Sequence, residues 1–236
     1  MRSFILSGLL AVTATAAAPQ KFSSGENRTH LLELYSSEGC SSCPPAEQWL
    51  GGLRDAPGLW RDFVPVAFHV SYWDRLGWRD RFASKEFTAR QYAYASQWGS
   101  GTVYTPGFVL DGAEWRNVTG QPPPLSSAEK AGVLAVERAE NGTCRMTFVG
   151  AGDCEVHAAL LGGGISSPVR AGENEGRTLR HEFVVLALKT ARLTAGAAEF
   201  SLPRVTDPAV ARQAIAVWVT RQGEPVPLQA TGGWLD

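Results

Sequence analysis

His30-Leu31-Leu32-Glu33-Leu34-Tyr35-Ser36-Ser37-Glu38-Gly39-Cys40-Ser41-Ser42-Cys43-Pro44-Pro45-Ala46-Glu47-Gln48-Trp49-Leu50 is the stretch that decides how this chain folds. His30 to Tyr35 is an apolar run of buried-strand length, the serines, glycine and cysteines after it form a turn, and Pro44 opens a helix in its first turn. Outward from it, Val64-Pro65-Val66-Ala67-Phe68-His69-Val70 is a second buried strand, about thirty residues on. That is the length of a crossover through a helix, so the two strands are expected to be parallel. Ser84 to Trp98 places Phe87, Tyr94, Ala95 and Trp98 on one helical face with Ser84 as N-cap, and Tyr104 to Trp115 reads as a hairpin turning at Asp111-Gly112.

Beyond residue 120 the pattern changes. Gln121-Pro122-Pro123-Pro124-Leu125-Ser126-Ser127 marks residues 121–130 as a linker. Val133–Ala139 and Thr143–Val149 flank Asn141-Gly142, a hairpin signal, and strand-like runs follow at Glu155–Leu161, His181–Lys189, Ala198–Leu202 and Ala214–Thr220. The reading is an α/β unit over residues 29–120, then a small antiparallel β domain over 131–236, α+β overall. Ser126–Glu140 has a second reading, as a helix capped by Ser127.

Composition agrees with a folded chain. Hydrophobic residues make 44% and charged residues 19% of 236, below the roughly 25% charge of an average soluble domain, which excludes disorder. Gly 25 and Pro 14 make turns frequent and exclude an all-helical bundle. A net charge of −1 leaves no basic footprint for nucleic acid. The first 18 residues have the layout of a signal peptide: Arg2, an apolar run from Phe4 to Val12, then Ala16-Ala17-Ala18. The run is well short of the roughly 20 residues of a membrane span. The expectation is a secreted or periplasmic protein with no membrane span after cleavage, in an oxidising compartment where cysteines are paired or perform exchange.

Cys40-Ser41-Ser42-Cys43 lies directly after a strand and before a helix. A helix N-terminus favours a thiolate, so Cys40 is the expected attacking sulfur and Cys43 the resolving one. Pro44 and Pro45 cannot donate N–H groups, so the helix is expected to begin after Cys43 and its field at Cys40 to be weak. A four-sulfur zinc site is disfavoured, because Cys144 and Cys154 are ten residues apart instead of two to four. Those two are expected to form a structural disulfide. In a tight hairpin Cys144 would fall opposite about position 158, roughly 13 Å from Cys154 at about 3.3 Å per residue, so the bridge demands a wider loop.

Strand, C-x-x-C, helix, parallel strand and a proline before a hairpin resemble the thioredoxin-like superfamily over residues 29–120. The resemblance implies that Pro106, in Tyr104-Thr105-Pro106-Gly107, is cis and lies against the cysteine pair, with Thr105 offering backbone hydrogen bonds to substrate. A closer resemblance is to an exported family catalogued as domain of unknown function 1223. Glu33 to Ala46, His69-Val70-Ser71-Tyr72-Trp73-Asp74, Gly77-Trp78-Arg79-Asp80, Arg90-Gln91, Tyr104-Thr105-Pro106 and Gly172-Glu173-Asn174-Glu175-Gly176-Arg177 carry it. The resemblance implies fold and export more than reaction.

Glu33 is an acid in mid-strand. By the same resemblance it is a candidate proton acceptor for the second cysteine, the alternative being a strand residue that reaches solvent or pairs with an arginine. Tyr72, Trp73 and Asp74 leave the carboxyl end of the second strand, where ligands bind in open α/β sheets, and are candidates for substrate contact. His69 reads as a hydrogen-bonded core histidine. The expected function is thiol–disulfide exchange on a protein or small-molecule thiol or disulfide, with no cofactor and no metal. The alternatives are a Cu(I)-binding module that uses both thiolates with His69 as third ligand, and a non-catalytic interaction protein whose Cys40–Cys43 bridge fastens a turn.

Overall fold

The computed structural model describes residues 18–116, 118–150, 152–203 and 205–236. The leader expected at residues 1–18 therefore lies, but for Ala18, outside the described residues. A short strand β1 (Gln20–Ser23) precedes β2 (His30–Ser36), and the cysteine turn leads into α1 (Pro44–Gly52). β3 (Phe63–His69) runs parallel to β2, in register from His30 opposite Phe63 to Ser36 opposite His69. Leu31 to Ser36 and all of β3 are buried, which is why both read as mainly apolar runs with no alternation.

A 3-10 turn over Ser71–Leu76 carries the chain to α2 (Lys85–Gln97), and Ser84 caps that helix by accepting from the Glu86 N–H. β4 (Gly107–Leu110) then returns antiparallel to β2 and turns into β5 (Ala113–Glu114). Asp111 and Gly112 at that turn both have positive φ, 50° and 84°, the pair of left-handed residues a type I′ hairpin requires. The Asp111 carboxylate accepts from the Leu31 N–H at 2.9 Å and contacts the His30 ring, so the turn is tied back to β2.

The second half is nearly all strand: β6 (Leu134–Arg138), β7 (Thr143–Phe148), β8 (Cys154–Gly163), β9 (Ile165–Pro168), β10 (Thr178–His181), β11 (Val184–Arg192), β12 (Ala197–Ser201), β13 (Arg212–Arg221) and β14 (Pro227–Trp234). The helix weighed for Ser126–Glu140 does not form; irregular backbone leads into β6. The strand expected at His181–Lys189 is broken by Phe183, whose φ of 57° ends β10 and lets β11 start in another sheet.

β11 is where the halves meet. Val184 pairs in parallel with Ala67 of β3, and the Ala67 N–H donates to the Phe183 carbonyl at 2.8 Å. One eight-stranded sheet results, in the order β14-β13-β8-β11-β3-β2-β4-β5. Its core joins Leu34, Phe68 and Tyr94 to Phe183, Trp218 and Ala230. A four-stranded sheet, β1-β6-β7-β12, lays Leu134, Val136, Met146 and Phe148 against Val156, Ile215, Val217 and Val219 of the larger one. β9 and β10 form a separate ribbon whose end abuts α1.

Candidate functional site

Cys40 and Cys43 are joined in a disulfide, with Cα atoms 5.5 Å apart. The turn that holds them is set by backbone bonds from the Cys40 N–H to the Ser37 carbonyl and from the Cys43 N–H to the Cys40 carbonyl. Cys43 is the N-cap of α1, and Pro44 and Pro45 fill the positions where missing N–H groups cost nothing. The helix begins after Cys43, as the prolines lead one to expect. Ser42 Oγ lies 3.4 Å from Cys40 Sγ.

The Thr105–Pro106 bond is cis, and Pro106 lines a cavity of about 300 Å³ together with Ala46, Tyr104, Phe108 and Trp115. Thr105 is linked to the cysteine turn through Trp73. The Trp73 Nε1–H donates to Thr105 Oγ1 at 2.8 Å, and a Cβ added at Gly39 would stand only 3.1 Å from Trp73 Cβ. A side chain at position 39 would press on Trp73. Tyr72 donates to Gln91 Oε1 at 3.3 Å, and burial pushes its hydroxyl up to about 12. Asp74 accepts from the Asp80 N–H at 3.2 Å.

From the second half a strap over Gly172–Arg177 reaches the same turn. Asn174, fully buried, donates from Nδ2 to the carbonyls of Glu38 and Cys40, both at 2.9 Å. Glu173 accepts from the Ser41 N–H at 3.1 Å and from its hydroxyl at 2.7 Å. Both sulfur-bearing residues are 0% exposed. Exchange with a client therefore requires the strap or turn to move.

Behind the disulfide lies a buried cluster of acids and imidazoles. Glu47, one helical turn past Cys43, contacts the Ser36 hydroxyl and the Nδ1 of His181. His69 places Nδ1 2.6 Å from Asp80 Oδ2 and leaves Nε2 without a hydrogen-bond partner, 4.0 Å from Glu47 Oε1. His181 Nε2 stands 3.2 Å from Glu38 Oε1, close enough for ion pairing but not aligned for a hydrogen bond. Glu38 also accepts from the Trp78 indole at 2.7 Å.

Burial opposes charge on all of these groups, and their mutual attraction outweighs it. His181 is lifted to about 10 against its burial, first by Glu47 and then by Glu38. Asp80 falls to about 2 despite its burial because His69 faces it. Glu47 is held below the usual carboxylate range by His181, and Glu38 by its close contact with His181, while Asp80 lifts His69, in each case against burial. A pocket of about 240 Å³, lined by Pro44, Glu47, Gln48, Arg177 and Arg180 among others, opens onto Glu47. His69 reads from sequence as a core histidine, while Glu38, Glu47, Asp80 and His181 carry no local signal that would bring them together. Glu47 alone offers a hint, as an acid one turn past a cysteine.

Two expectations are corrected. Glu33 is bound to an arginine instead of facing Cys43 alone: Arg90 grips its carboxylate at 2.7 and 2.9 Å, and the hydroxyls of Tyr35 and Tyr94 lie 2.9 and 2.5 Å away. The arginine pairing, the alternative weighed for this acid, is the one that forms. Cys144 and Cys154 are free, buried thiols with no bridge between them. β7 carries Cys144 in the four-stranded sheet and β8 carries Cys154 in the other, and facing sheets stand about 10 Å apart while a disulfide needs Cα atoms within about 7 Å.

A larger cavity, about 570 Å³, is lined by residues such as Arg138, Val210 and Asp236 and shares none with the surroundings of the disulfide. The smaller Pro106 and Glu47 pockets are the ones that reach α1 beside the disulfide, through Ala46 and Pro44. No helix among the described residues is long and apolar enough to cross a membrane.

The family model described as "Protein of unknown function (DUF1223)" matches residues 31–220. No curated protein matches the chain. Among solved structures, protein AGR_C_4864 from Agrobacterium tumefaciens is similar with a TM-score of 0.61 at 24% identity, over 89% of this chain and 95% of that one. HBP35 of Porphyromonas gingivalis is similar with a TM-score of 0.54 at 13% identity, over 90% of this chain and 77% of that one. At such identities the likeness speaks to fold alone.

Proposed function

The chain belongs to the DUF1223 family, and from the site it carries we propose that it is an exported, thioredoxin-like thiol–disulfide oxidoreductase acting through Cys40 and Cys43. The observation that carries this reading is a disulfide at the head of α1, with the cis Thr105–Pro106 segment joined to its turn through Trp73. The succession β2, cysteine turn, α1, parallel β3 and then a cis-proline hairpin supports the thioredoxin-like reading of residues 29–120.

In the reductive direction the Cys40 thiolate attacks one sulfur of a client disulfide and expels the other as a thiolate. Cys43 then attacks Cys40, releases the second client thiol and leaves the Cys40–Cys43 bond. The client gains two electrons and the two protons of the dithiol; the reverse sequence oxidises a client dithiol. Trp73, Thr105 and the cavity at Pro106 are the docking edge in this reading, with Tyr72 and Asp74 at its margin. The leader over residues 1–18 supports an oxidising location, where such a pair is kept cycling.

Purified reduced protein is expected to reduce insulin, and Cys40→Ser to abolish that activity. The pair is expected to show a potential within the roughly −120 to −270 mV spanned by exchange catalysts. Full burial of both sulfurs favours a second reading, a bond that only fastens the turn. A potential below about −300 mV, together with no insulin turnover by the wild type, establishes that reading and overturns the first.

A further inference from the structure

We infer that Glu47, His69 and His181 form a divalent transition-metal site, of which zinc is the natural occupant, knitting the disulfide-bearing helix to the sheet and to the second half of the chain. The three residues come from α1, β3 and β10 and are all buried, and one ligand atom from each can be chosen so that all lie within 4.8 Å of one another. Two imidazole nitrogens and one carboxylate are a donor set suited to zinc and its neighbours in the first transition row.

The orientation of the two rings carries the inference beyond proximity. A metal-bound histidine characteristically gives its second ring nitrogen to a carboxylate, which fixes the ring and sharpens the ligand. His69 is arranged in that way, and His181 has a carboxylate within ion-pairing distance of its second nitrogen. His69 turns Nδ1 onto Asp80 at 2.6 Å and leaves Nε2, buried and without a hydrogen bond, facing Glu47 across 4.0 Å. His181 turns Nε2 toward Glu38 at 3.2 Å and Nδ1 onto the other Glu47 oxygen. The outward nitrogens have carboxylate partners, and the inward ones converge on a single carboxylate. Ser36 steadies Glu47 from a third side. The pocket beside Pro44, lined also by Arg177 and Arg180, reaches Glu47.

The arrangement does not involve the sulfurs, which are spent on each other in the disulfide. That separates this site from a thiolate copper site and makes its test independent of the redox reading. Chelator-treated wild type is titrated with Zn²⁺ alone and its metal content measured after gel filtration, then titrated with Co²⁺ and its visible spectrum recorded. The expected result is one ion per chain, with cobalt d–d bands and no thiolate charge-transfer band. Cys40→Ser/Cys43→Ser is expected to bind unchanged, His69→Gln and His181→Gln to lose the ion, and Asp80→Asn to weaken binding roughly 10- to 100-fold. Far-ultraviolet circular dichroism checks that each variant is folded; if the histidine variants are not, the cobalt spectrum of the wild type and the double cysteine variant decides. No uptake of either metal by the wild type, uptake lost with the cysteines, or uptake kept by folded His69→Gln and His181→Gln overturns the inference.

Discussion

At the scale of single residues, Glu33 and His157 show how the same core treats an acid and a base in opposite ways. Glu33 is buried together with its partner Arg90, and the guanidinium also lies over the rings of Trp218, Tyr94 and Phe68 at 5.1, 5.3 and 5.6 Å. Removing one charge strands the other, so Glu33→Gln is expected to cost about 3 kcal/mol in urea unfolding. The pH profile of insulin reduction should stay unchanged; a shifted profile would restore Glu33 as a proton acceptor. His157 instead stays neutral. It stacks on Trp218, touches the hydroxyls of Thr190 and Thr220 at 2.9 and 3.0 Å, and is lowered to about 3 by burial, with Arg90 adding to the effect. Above about pH 6.5 neither folded nor unfolded chain protonates this ring, and its contribution is whole. Below that the unfolded chain takes up the proton while the folded one resists until about pH 3. Stability is therefore lost as pH falls across that window, at about 1.4 kcal/mol per unit. Comparing His157→Gln with wild type in urea at pH 7 and pH 5 isolates the term: the wild type should lose more on acidification, and equal losses would show that His157 carries no such burden.

At the scale of elements, the strap over Gly172–Arg177 governs access to the disulfide. Its hold rests on the two bonds from Asn174 and the contacts of Glu173 with Ser41. Each neutral bond is worth about 1 kcal/mol net, and 1.4 kcal/mol is tenfold in an equilibrium. Asn174→Ala, which removes both bonds, is accordingly expected to speed reduction of Cys40–Cys43 by dithiothreitol roughly thirtyfold, while Glu175→Ala, on the exposed side of the strap, leaves the rate alone. Equal rates for all three proteins would mean that the turn opens by another motion. Sequence patterns reached the elements whose stability is local. β2, β3 and α2 announce themselves by period and caps, and the β4–β5 and β6–β7 hairpins by Asp-Gly and Asn-Gly. β1, β9 and β14 carry no such signal, because short or glycine-bearing strands such as Pro227–Trp234 depend on the neighbour they pair with. The strap was visible only as the motif Gly172–Arg177, and its contact with Ser41 and Cys40 follows from tertiary pairing. The histidine cluster stayed hidden for the same reason: His69 and His181 meet because β10 is carried against α1, which no local period encodes.

At the scale of the whole molecule, the parallel contact of β11 with β3 has the largest mechanical consequence. β3 would be an open edge of the first half without it, exposing the backbone of a strand whose side chains are buried throughout. The core under that edge is shared as well. Trp218 of β13 is 0% exposed and packs on Phe68 of β3, and Phe183 and Ala230 complete the same layer. Neither half therefore closes its own core, although the composition shift at Gln121–Ser127 suggests a boundary. The chain is expected to unfold in one cooperative step, with intrinsic tryptophan fluorescence and far-ultraviolet circular dichroism tracing coincident urea curves. A fragment of residues 19–125 should lack a cooperative transition, because Trp218 and the β11 edge partner are gone. Trp218→Ala in the full chain should lower stability by about 3 to 5 kcal/mol without splitting the transition. Two resolved transitions in the wild type, or a fragment that melts sharply by itself, would show that the shared sheet joins two independently stable domains. In that case the strap would be a contact between domains, able to part from the disulfide by their relative motion instead of by local opening.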